Sequence, residues 1–163
     1  MKTSVFCENS YKNSVLFSPA EIENIAEKFL LYAINNSVST FFTDENDYSL
    51  EVMLCDDEFI HGVNKEYRGI DRATDVITFA LFADSEEKIV ADNVINLGQI
   101  IISMDKVKLQ AEENGISEEK EFLNLLSHGI LHLLGIDHKT DKELQYMLEL
   151  QDKMIESVNY VKV

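Results

Sequence analysis

Apolar residues recur along this chain with two different periods, and the places where the period changes divide it into elements. Ile22, Ile25, Ala26, Phe29, Leu30 and Ala33 follow helical spacing. Ser18 is a good N-cap for that helix, Pro19 suits its first position, and Glu21 completes a capping box. Phe17 and Ile22 can staple the entry, and the helix should end near Asn35–Asn36. Tyr48, Leu50, Val52 and Leu54 then alternate with Ser49, Glu51 and Met53, a strand pattern. Asp56 and Asp57 can cap a helix running to about Tyr67, with Ile60, Val63 and Tyr67 on one face. The polar stretch YRGIDRATD follows as a turn. Two apolar, β-branched runs, Val76–Phe82 and Val94–Ile102, read as strands, with the charged segment DSEEK between them as the loop of a hairpin or wider connection.

The C-terminal third is helical in pattern. Ser103 can cap a helix that stops at Asn114–Gly115. Ser117 opens another, with Glu118 and Glu119 favoured by the helix dipole in its first turn. It should run to Leu134 and stop at Gly135. Thr140 and Glu143 form one more capping box, and the last helix should turn Leu144, Met147, Leu148, Ile155 and Val158 inward. The sum is an α+β chain with three or four strands and about five helices, read as a single domain over residues 1–163.

Composition changes the picture at three points. The net charge of −16, with a pI near 4.5, repels nucleic acid and anionic membrane at long range, so any phosphate-binding role needs a local basic patch. Two cysteines, Cys7 and Cys55, are too few for a disulfide framework and read as reduced core residues. No segment is apolar enough for a signal peptide or a membrane span, which predicts a soluble cytoplasmic protein with no membrane partner.

Three of the four histidines fall within eleven residues, in HGILHLLGIDH from His128 to His138. His128 and His132 are one helical turn apart, so their rings share a face. Gly135 can take the left-handed conformation that ends the helix, and His138 can then return toward the same point. Three neutral nitrogen ligands with an open fourth position make the pattern of a catalytic metal site. Zinc is the favoured ion for three imidazoles, one per chain, although nickel, copper and iron suit the same ligand type.

This spacing equals that of metzincin proteases, whose first histidine is followed by a glutamate that serves as general base. Here that position is Gly129, so the geometry fits but peptide hydrolysis by that route does not. Asp137 can either accept a ligand N–H or cap a turn. Glu121 and Asn124 share the ligand face and read as ordinary polar helix positions, and His61 stands apart from the cluster. The only two arginines, Arg68 and Arg72, both lie in YRGIDRATD. A guanidinium fork matches phosphate oxygens, so they mark either an anion site or ion pairs with Asp71, Asp75 or another acid.

Taken together these segments resemble the YbeY family of rRNA-maturation endoribonucleases. HGILHLLGIDH matches that family's HGxLHLxGxDH signature, and NKEYRGIDRATDVITF (64–79) matches its NxxYRxxxxxTDVxxF segment. LGQI from Leu97 to Ile100 is similar to its LGDI strand. The likeness covers roughly Leu50 to Leu148. It implies a small mixed four-stranded sheet packed with about five helices, including a metzincin-like metal helix. It implies zinc on His128, His132 and His138, and Arg68 as the catalytic arginine that engages the RNA phosphate near the metal. The implied activity is single-strand-specific endoribonuclease action in maturation of the small-subunit rRNA 3′ end and in ribosome quality control. The implied partners are single-stranded RNA, the ribosomal subunit or ribosomal proteins, with no DNA. Two other readings stand beside it: a ribosome-associated factor whose metal is structural, and a metal hydrolase with another substrate. Two positions depart from the family pattern. Gln99 replaces an Asp, removing a carboxylate from a strand near the site, and Ala80 stands where many members have proline.

Overall fold

The two periods of the sequence build an α+β fold, seen in a computed structural model that describes residues 1–36 and 41–158. In chain order its elements are β1 (Thr3–Asn9), α1 (Pro19–Asn35), β2 (Asp47–Cys55), α2 (Asp57–Arg68), β3 (Val76–Phe79), β4 (Val94–Ser103), α3 (Met104–Asn114), α4 (Glu118–Leu133) and α5 (Asp141–Ser157). Their starts are set locally. The capping boxes at Ser18–Glu21 and Thr140–Glu143 are both formed. Asp56, Ser103 and Ser117 each accept a first-turn amide of the helix that follows. Gly69 and Gly115 end α2 and α3 in the left-handed conformation.

The strands form one mixed sheet in the order β1-β2-β4-β3. β1 and β4 run parallel to β2, and β3 runs antiparallel to β4. Alternation gives the sheet two faces. Tyr48, Leu50, Val52 and Leu54 of β2 join Ile95, Leu97, Ile100 and Ile102 of β4 on one face. There α1 and α4 lie on the strands, and α5 packs across both helices. The other face carries a much smaller cluster of Cys55, Ile60, Ile77 and Ile101 beneath α2. Both cysteines are buried and unpaired, and burial pushes the Cys7 thiol up to about 11 and that of Cys55 to about 12. Among the described residues no helix is long and apolar enough to cross a membrane.

Four details depart from the hydrophobic pattern. Strand β1 was not signalled, because the segment TSVFCEN turns only Val5 and Cys7 toward the core while Phe6 faces outward. β3 stops at Phe79 rather than Phe82. The chain there turns, with the Asp84 amide donating to the Ala80 carbonyl, so that Leu81 is exposed and Phe82 is buried against Phe42. That turn brings the Phe79 carbonyl against β4. A Cβ on Gly98 would lie 1.8 Å from it, so glycine is required there. Finally, Leu144 and Leu148 are exposed, because the buried stripe of α5 is Met147, Leu150, Gln151, Met154 and Ile155. Tyr67 likewise lies outside the buried face of α2.

Candidate metal centre

Helix α4 carries the histidine pair into position. Phe122, Leu126, Ile130 and Leu133 are buried, which fixes the rotation of the helix on the sheet. The rings of His128 and His132 then meet edge to face, with their Nε2 atoms 2.9 Å apart. The helix is closed by the Gly135 amide donating to the His132 carbonyl and the Ile136 amide donating to the Leu131 carbonyl. Gly135 has φ +84°, the conformation that turns the chain back. Asp137 accepts the His138 backbone amide at 2.7 Å, so its role is to cap this turn. The His138 ring comes to 5.4 Å from that of His128 and 5.5 Å from that of His132.

One nitrogen from each of His128, His132 and His138 therefore lies within 4.8 Å of the others, and the group could hold a metal ion. Imidazoles sharing one tetrahedral ion sit roughly 3.3 Å apart, nitrogen to nitrogen. The 2.9 Å pair is already close to that separation. Burial pushes His128 down to about 4, with His132 and His138 adding to the shift. His132 is lowered by burial and then by His138. Both rings are thus neutral at pH 7, the form a metal needs.

A shallow cavity of about 220 Å³ opens beside His128, lined also by Asp75, Val76, Asn124, Leu125 and Gln151. The Asp75 carboxylate is held from two sides, accepting from the Val76 amide and from the Gln110 side chain. Gln110 also donates to Glu121 at 3.1 Å. Glu121 is therefore a buried member of a network rather than the ordinary polar position that its spacing suggests. Sequence reasoning missed Gln151, whose amide nitrogen lies 2.6 Å from His128 Nδ1. The signal available was one glutamine inside the apolar stripe Met147, Leu150, Met154 and Ile155. Gly129, where a metzincin has its glutamate, presses on β4: an added Cβ would come within 2.9 Å of Ile100 Cγ2. A base of that kind has no room here.

Arg68 is the last residue of α2, exposed, and it does not line the histidine cavity. The turn after it leads directly to Asp75, which does. Asn64 grips that turn, its backbone carbonyl accepting the Ile70 amide and its Nδ2 donating to the Arg72 carbonyl at 2.9 Å. The acids nearest in sequence are engaged elsewhere. Asp71 pairs with His61 at 2.7 Å and with Lys65, and His61 stands outside the histidine cluster. Among the described residues neither arginine forms an ion pair, so the charge of Arg68 is available to a ligand. Gln99 lies on the opposite face of the sheet, in a larger groove of about 1010 Å³ that Phe59, Tyr67 and Glu51 also line. Gln99 does not line the histidine cavity.

Comparison with known proteins finds relatives over most of the chain. A family model described as Endoribonuclease YbeY matches residues 8–159. An endoribonuclease YbeY from Caldicellulosiruptor saccharolyticus is 35% identical over 147 residues, covering 87% of this chain and 92% of that protein. One from Oenococcus oeni is 40% identical over 140 residues, covering 85% and 87%. A solution structure of a Thermotoga maritima protein superposes with a TM-score of 0.59 at 30% identity, covering 96% of this chain and 88% of that one.

Proposed function

This chain belongs to the endoribonuclease YbeY family, and on that premise we propose that it is a zinc-dependent, single-strand-specific endoribonuclease, formed by one domain, that matures the 3′ end of small-subunit ribosomal RNA and serves ribosome quality control. The observation that carries the proposal is the convergence of three imidazole nitrogens at the end of α4. His128, His132 and His138 would hold the ion. Zinc bound there supplies Lewis acidity toward a phosphoryl oxygen and toward water.

The chain's own residues supply the rest. Arg68 offers an unpaired guanidinium whose fork matches a phosphate and offsets charge that develops on it. Asn64, by holding the turn behind Arg68, limits where that fork can reach. Asn124 presents an amide to the cavity beside His128, able to bond a ribose hydroxyl or a base edge of an unpaired strand. Gly129 leaves no space for a carboxylate beside the first ligand, which turns the site away from the metzincin peptide reaction. The acidic exterior, with a net charge of −16, fits a protein that meets RNA on the ribosomal subunit, guided by ribosomal proteins. Work on ribosomal RNA places its action in the cytoplasm.

The test begins with metal content by elemental mass spectrometry. About one zinc per chain is expected, and none in the His128→Ala/His132→Ala double variant. Arg68→Ala should keep the zinc and slow cleavage of a single-stranded RNA on the order of 10²–10³-fold, the scale of one lost oxyanion donor. Absence of metal after zinc is offered at neutral pH would sink the reading. Cleavage by Arg68→Ala at the wild-type rate would remove the role given to that arginine.

A further inference from the structure

We propose that Gln151 is a positioning residue for the metal centre: its buried side-chain amide bonds Nδ1 of His128 and so orients that ring. The inference rests on the reading of His128, His132 and His138 as metal ligands and goes beyond it to a residue on another helix.

Gln151 lies on α5, 23 residues from His128 in sequence, and is 5% exposed. A buried primary amide left without partners is costly, so its contacts define its orientation. Its Nε2 lies 2.6 Å from His128 Nδ1, and an amide N–H can only donate. In this arrangement Nδ1 accepts and the ring proton sits on Nε2. That proton points at His132 Nε2, 2.9 Å away. The ring is then held by hydrogen bonds at both nitrogens, but Nε2, the atom turned toward His132, has no free lone pair for a metal in that tautomer.

Metal binding through Nε2 requires the other tautomer, with the proton on Nδ1. Metal-bound histidines nearly always donate this second N–H to an acceptor, commonly a carboxylate or a backbone carbonyl. Among the described residues the group placed at Nδ1 is Gln151. A half-turn about its last side-chain bond exchanges Nε2 for Oε1 and presents the acceptor. Glutamine can therefore hold His128 in place both with and without an ion, as neither an alkyl side chain nor a carboxylate alone can. The amide adds no charge, so it orients the ligand without adding a negative charge behind it. The surroundings support this use of the residue. Met147, Leu150, Met154 and Ile155 form the apolar stripe around it, where an apolar side chain would satisfy packing alone.

The experiment compares zinc affinity, by competition against a chromophoric chelator, for the chelator-stripped wild type and the Gln151→Met and Gln151→Glu variants. It is accompanied by ¹⁵N NMR of the histidine rings. Gln151→Met keeps the volume and removes the hydrogen bond to Nδ1, and it should weaken zinc binding by about 10–100-fold. Gln151→Glu retains an acceptor for Nδ1–H and should bind at least as tightly as the wild type. If packing alone mattered, the order would reverse, because methionine suits a buried site and a carboxylate does not. The rings should show His128 protonated at Nε2 without zinc and at Nδ1 with it. Zinc binding by Gln151→Met within twofold of the wild type would overturn the proposal while leaving the metal site standing. A His128 Nδ1 resonance that is the same in the wild type and in Gln151→Met would do the same. A wild type that binds no zinc would overturn both readings. Should Gln151→Met fail to fold, the Gln151→Glu variant still decides: zinc binding weaker than the wild type's would overturn the proposal.

Discussion

The face of the sheet under α1 and α4 and the face under α2 are built from the same strands, yet they are packed to different depths. On the first, Phe29, Leu30, Phe122 and Leu126 are fully buried, and α5 adds a further layer. On the second, Ile60, Ile77, Ile101 and Cys55 are the whole buried cluster, and beside them a wide groove stays open with Phe59 and Tyr67 exposed. The histidines stand on the first side and Arg68 ends the helix of the second. A metal centre needs its ligands held to tenths of an ångström, which close packing provides. On the function proposed above, Arg68 would meet a flexible polymer and needs reach instead. Close packing thus goes with the helix that carries His128 and His132, and the open groove with the helix that ends at Arg68.

That contrast can be broken by paired substitutions. Phe122→Ala should cost about 3–5 kcal/mol in urea unfolding, because it empties the deep side. Phe59→Ala, on the open groove, should change stability by roughly 0.5 kcal/mol or less. Similar losses from both would mean the two faces are equally structural.

Acid should separate the sides next. His128 is held at about 4 in the folded chain against an ordinary 6.5. Between those values the unfolded chain takes up a proton that the folded chain refuses, so metal-free protein loses stability as pH falls through that window, and this loss levels off below it. The size is roughly 2–3 kcal/mol. It should shrink in His128→Gln when unfolding at pH 7 and pH 4.5 is compared. An identical loss in the variant would place the acid sensitivity elsewhere.

The smallest effect sharpens the comparison most. Gln99→Asp adds a carboxylate on the α2 side. Zinc affinity should stay within about twofold of the wild type, since Gln99 and the histidine cavity lie on opposite faces of the sheet. A larger change would show that the two faces communicate through β4.

Local signals carried most of this structure. The capped helix starts, the alternation of β2 and the HGILHLLGIDH spacing each depend on neighbours within a turn or two, and all three formed as the pattern predicts. What escaped depends on partners far along the chain. Strand β1 is held by β2, more than forty positions away, and shows only two inward apolar residues of its own. Gln151 gains its meaning from His128 on another helix. Glu121 looked like one more surface acid until Gln110 closed over it. The inward side of α5 was misjudged at Leu144 and Leu148 because leucines border its buried stripe as well as fill it. Arg68 was visible as a rare residue type, but its freedom from ion pairing depends on where Asp71 and Asp75 point.

All three histidines lie between positions 128 and 138, on one helix end and the turn that follows. A metal ion can therefore be grasped by a short peptide before any strand has paired. Ligand-linked stabilisation depends on the difference in affinity between folded and unfolded chains, not on affinity for the folded chain alone. A site so local in sequence keeps part of its affinity after denaturation. The rise in melting temperature on adding zinc should then fall short of what its dissociation constant alone predicts, and the shortfall measures how much of the site survives in the denatured ensemble.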